Sequence, residues 1–111
     1  MNYHNRKFKP VSNSANGLVS SEMVFHYTQH EEVLSCEYAG QDIKHGQILG
    51  IVYPDGSIEF AYQQIDFFGQ ILTGKCETTP EILPNGKLRL HEKWQWTSGD
   101  KSTGESILEE I

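Results

Sequence analysis

The chain has 111 residues, with 37% hydrophobic, 22% charged and 12 aromatic side chains (2 Trp, 5 Tyr, 5 Phe), which predicts one folded domain around a single core. Its net charge of −6 argues against a phosphate-binding surface, since nucleic-acid modules cluster Lys and Arg and the one such cluster, Arg6, Lys7 and Lys9, is expected to be solvated. No apolar run of about 18 residues spans a bilayer and the first residues carry no signal-like stretch, so no nucleic-acid or membrane partner is expected and the expected location is the cytoplasm.

In chain order, the first strand is expected within residues 3–11, ended by Pro10 and the polar run from Ser12 to Gly17. Residues 21–29 form a second strand with bulk on both faces: Met23, Phe25 and Tyr27 against Val24, His26 and Thr28. The polar pair Glu31 and Glu32 turns the chain into residues 33–38, whose expected core row is Leu34, Cys36 and Tyr38. A longer strand over residues 42–53 holds Gly46 and Gly50, which mark a bend, a bulge or a close backbone approach.

After the turn Pro54, Asp55, Gly56, the alternation of residues 57–65 puts Ile58, Phe60, Tyr62 and Gln64 on one face. Residues 70–78 form the next strand, and Pro80 and Pro84 predict an irregular connection after it. Residues 87–97 carry the longest clean alternation, with Leu88, Leu90, Glu92, Trp94 and Trp96 on one face and Arg89, His91, Lys93 and Gln95 on the other. Glu92 is the odd member, a carboxylate in an apolar row beside both tryptophans. Residues 101–111 close the chain as a strand or a short helix, since neither period is strong, with the strand preferred.

No stretch shows helical periodicity. Short turns between successive strands predict an all-β antiparallel up-and-down meander of about eight strands. Closure removes the bare sheet edges, so the expected architecture is a lipocalin- or avidin-like barrel, with a β-sandwich as the alternative.

Several near-motifs fail on chemistry. Gly99 to Ser106 has P-loop glycine spacing but places Glu105 where the phosphate-binding Lys belongs. Gln47 to Val52 approaches an acetyl-CoA loop, yet a turn follows where a helix N-terminus is needed. His91 and Glu92 begin a zinc-like motif whose second His position holds Gln95, and the five histidines lack ligand spacing, so no metal or cofactor is expected. Cys36 and Cys76 are expected as reduced, mostly buried thiols. The pairs Glu31, Glu32 and Glu109, Glu110 are expected to be solvated.

The candidate ligand-binding set is the mixed lining expected inside the barrel: Tyr38, Phe60, Tyr62, Gln64, Glu92, Trp94 and Trp96. The same large side chains equally suit a filled interior. A cavity of about 300 Å3 or more would separate a pocket from a filled core.

The segments Thr79 to Ser102 (TPEILPNGKLRLHEKWQWTSGDKS), Gly104 to Glu110, Phe8 to Asn13, Val24 to Tyr27 and Gly46 to Gly50 together cover nearly the whole chain. In them the sequence resembles a family of small bacterial proteins of about this length, some labelled N-acetylglutamate synthase. The label implies transfer of an acetyl group from acetyl-CoA to glutamate, with no catalytic residues to carry over. Three readings follow: a small-molecule binding module, the acyltransferase of the label, and a structural or interaction protein, including a homodimer.

Overall fold

The computed structural model describes residues 2–14 and 23–111. Nine strands occur there: β1 (Lys7–Asn13), β2 (Phe25–His26), β3 (Thr28–His30), β4 (Val33–Tyr38), β5 (His45–Val52), β6 (Ile58–Ile65), β7 (Ile71–Ile82), β8 (Leu88–Trp96) and β9 (Thr103–Glu110). The described residues contain no helix, and hence none long and apolar enough to cross a membrane. All strands belong to one antiparallel sheet in the order β2-β1-β9-β8-β7-β6-β5-β4-β3. The two edge strands are halves of one segment, residues 25–30, divided at Tyr27. One half pairs with β1 and the other with β4, so the sheet curls into a nearly closed barrel. Counting that segment once gives eight strands in up-and-down order, the architecture expected.

Local chemistry explains the meander. The turns between β5 and β6, β6 and β7, and β7 and β8 share one design, in which Gly56, Gly69 and Gly86 adopt positive φ. The side chains of Asp55, Asp66 and Asn85 accept from the backbone N–H two residues on, at 2.9, 2.9 and 3.0 Å. Between the turns, strict alternation sends Leu34, Cys36 and Tyr38, then Ile58 and Phe60, and then Leu88, Leu90 and Trp94 into the core. Tyr3, Phe8 and Tyr27 add an aromatic cluster with ring centroids 5.0–6.4 Å apart. Tyr3 donates its hydroxyl to the carbonyl of Gly56. For the second strand, whose inward face was ambiguous, Met23, Phe25 and Tyr27 are buried while Val24 and His26 are exposed.

Four local expectations are corrected. β1 runs past Pro10 to Asn13, because a register shift between Pro10 and Ser12 absorbs the irregularity within its pairing to β9. β7 likewise continues through Pro80 to Ile82, where a tight turn replaces the irregular connection. Proline is tolerated there because β6 ends its pairing at Ile58 opposite Thr78, leaving β7 a neighbour on one side only. Glu109 and Glu110 are not simply solvated: Glu109 meets Arg89 at 3.0 Å, and Glu110 meets Arg6 at 3.1 Å and the Leu88 N–H at 3.0 Å. Arg6, expected to be solvated with Lys7 and Lys9, therefore ties the N-terminal segment to β9.

Candidate functional site

Three of the cross-strand pairs of an aromatic residue with a glycine seat the ring over the glycine and shape the barrel interior. Tyr38 faces Gly46, Tyr62 faces Gly74 and Trp94 faces Gly104. In each pair the ring lies where a Cβ would sit, so the glycine is a seat for the aromatic side chain. For Gly46 this selects close approach among the roles expected of it.

The rings of Phe60, Tyr62, Trp96 and Trp94 then form a continuous series of edge-to-face contacts, with successive centroids 6.2, 5.3 and 6.1 Å apart. They line, with Phe25 and Tyr27, a partly open cavity of about 60 Å3. That is room for a few waters and well below the ~300 Å3 of a drug-sized pocket. Among the described residues the barrel interior thus falls on the filled side of that criterion, with a small aromatic cavity remaining.

Of the seven residues singled out in the sequence, Phe60, Tyr62, Gln64, Glu92, Trp94 and Trp96 all line this cavity. Tyr38 stands behind it, donating its hydroxyl to Gln64 Oε1 at 2.8 Å. Sequence reasoning missed Asn13, Phe25, Tyr27, Cys76 and Ser106, which also contribute to the lining. Asn13 and Ser106 lie 93 positions apart and meet only through the pairing of β1 with β9. There Ser106 accepts from Trp94 Nε1 at 2.8 Å and donates to Asn13 Oδ1, fixing the indole.

Glu92 is half-buried, and what access it keeps lies on the cavity wall. Burial pushes its carboxyl up to about 8, opposed in part by a hydrogen bond with Thr78, which is itself 1% exposed. Arg89 is confirmed on the opposite face, held by Glu81 and Glu109. Among the described residues no Lys, Arg or His forms an ion pair with Glu92.

Two further polar groups are exceptional. Tyr27 Oη and Gln64 Nε2 are buried without a hydrogen-bond partner, in residues only 0% and 4% exposed. An unsatisfied buried polar group costs about 1–3 kcal/mol, and most are paired in native proteins.

The cavity is poorly equipped for covalent chemistry. Cys36 and Cys76 are buried free thiols that burial keeps protonated, Cys36 at about 12 and Cys76 higher still. All five histidines are exposed and none lines the cavity. Gln47 to Val52 lies within β5, paired on both sides with β4 and β6, so its amides are engaged in the sheet and not presented to a pyrophosphate.

Searches among curated proteins and solved structures return no match. A family model described as Avidin-like protein matches residues 1–111. The nearly closed antiparallel barrel and that full-length match together show that the chain belongs to the avidin-like family.

Proposed function

We propose that the protein is a binding module that takes a small, partly apolar ligand, or one small group of a larger ligand, inside its barrel. The observation that carries this reading is the pair of buried, unsatisfied groups, Tyr27 Oη and Gln64 Nε2, in the lining of an aromatic cavity. A ligand supplying an acceptor to Gln64 would pair with its buried amide N–H. Phe60, Tyr62, Trp94 and Trp96 supply the apolar walls, Glu92 and Gln64 the polar discrimination, and Tyr38 holds Gln64 in place. Buried reduced thiols suit the reducing cytoplasm, where we place the protein.

Both tryptophans line the cavity, so their fluorescence is the direct probe. Titration with a library of small metabolites should yield a saturable change for one chemical class. A flat signal across the library refutes the reading.

A second reading rests on the outer face, where Val33 and Ile51 pair across β4 and β5 and are 42% and 47% exposed, next to Leu49 at 63%. This apolar cluster supports self-association as a homodimer. A monomer mass in light scattering at high concentration refutes it.

A further inference from the structure

Glu92 sets the chemistry of the cavity. Among the described residues it is the one carboxylate in the lining, and no cationic side chain there pairs with it. A partly buried carboxyl without a counter-ion, once ionised, repels anionic ligands and rewards a cation that replaces its lost solvation. Around it, the near-perpendicular stacking of Phe60, Tyr62, Trp96 and Trp94, with interplanar angles of 61, 74 and 64°, turns ring faces in alternating directions. The negative faces of aromatic rings attract ammonium groups, most strongly where water is excluded. The net charge of −6 draws cations toward the molecule as a whole.

We propose that the cavity is a receptor for a small primary ammonium group, with the Glu92 carboxylate as its counter-ion and Trp94, Trp96, Tyr62 and Phe60 as its walls. This rests on the reading that the cavity holds a ligand, and names the class. The volume of about 60 Å3 suits a small head such as methylammonium. The ammonium has three donors, and Glu92 and the unpartnered Tyr27 oxygen are acceptors in the lining. The Gln64 amide is left to a water or to a neutral acceptor elsewhere on the ligand.

Binding is coupled to a proton. Near pH 7 Glu92 holds its proton, and an entering ammonium displaces it to the solvent, so affinity rises with pH until Glu92 is ionised. The other titratable groups around Glu92 are Tyr27 between β2 and β3, Cys36 and Tyr38 on β4, Tyr62 on β6 and Cys76 on β7. Burial raises all five, so each stays neutral through this range. Ionisation around pH 8 rises from about 1% at pH 6 to about 90% at pH 9, so binding should tighten on the order of 100-fold.

The test is calorimetry and tryptophan fluorescence of the full chain with methylammonium chloride, with sodium chloride at equal ionic strength and acetamide as comparisons. The expected result is saturation by methylammonium alone, about 100-fold tighter at pH 9 than at pH 6. At pH 7 close to one proton should be released, read from heats in buffers of different ionisation enthalpy. Glu92→Gln should abolish the response. Saturation by acetamide but not methylammonium overturns the ammonium class and leaves the binding reading standing, whereas saturation by neither overturns both at this cavity. Should the variant fail to fold, wild-type protein decides: methylammonium binding without proton release overturns the proposal.

Discussion

Replacing Glu92 with glutamine removes the cavity's carboxylate while keeping its shape and its capacity to hydrogen-bond with Thr78. Burial raises the Glu92 carboxyl from 4.5 to about 8, so the folded protein retains a proton that the unfolded chain releases. Wild-type stability from this group is therefore fully present below pH 4.5 and falls as the pH rises to about 8, above which it is level. At about 1.4 kcal/mol per pH unit, the loss is roughly 3 kcal/mol by pH 7 and on the order of 5 kcal/mol by pH 9. That is a large part of the roughly 5–15 kcal/mol that stabilises a typical domain. Glutamine has no such titration. Urea unfolding of both proteins across pH 4 to 9 should give nearly coincident midpoints at pH 4, with the variant increasingly more stable above pH 5. Curves that stay parallel from pH 4.5 to 8 would refute the burial argument and, with it, the assignment of Glu92 to the cavity wall.

Two other substitutions test the cavity's construction. Tyr27→Phe deletes a hydroxyl that has no partner, so urea denaturation should show stability unchanged or raised by about 1 kcal/mol, and a loss of more than that would mean the hydroxyl is bonded. Gly104→Ala puts a methyl group where the Trp94 ring lies. It should cost about 1–3 kcal/mol and shift the tryptophan emission, and an unchanged midpoint and spectrum would show that the indole is not seated there.

The barrel was legible because its determinants are local. Two-residue alternation in residues 57–65 and 87–97 dictates which side chains share a face, and Asp-Gly and Asn-Gly turns dictate that neighbours in sequence are neighbours in the sheet. Pro10 and Pro80 misled for a complementary reason. A proline's tolerance depends on whether the strand beside it continues, and that is decided by register. The same limit hid Tyr27: the strand half before it serves β1, the half after it serves β4, and nothing in the local pattern marks the division.

What the sequence by itself determined is the row Leu88, Leu90, Glu92, Trp94 and Trp96 on one face of one strand, and hence the conjunction of a carboxylate with two indoles. What only the tertiary structure decided is what that face meets. Closure through residues 25–30 brings Tyr27 to the cavity lining, the return of β9 to β1 joins Asn13 to Ser106 and Trp94, and the filled interior leaves about 60 Å3. Alternation constrains one chain segment at a time, whereas the size, charge balance and unsatisfied groups of a cavity are properties of side chains that only folding brings together.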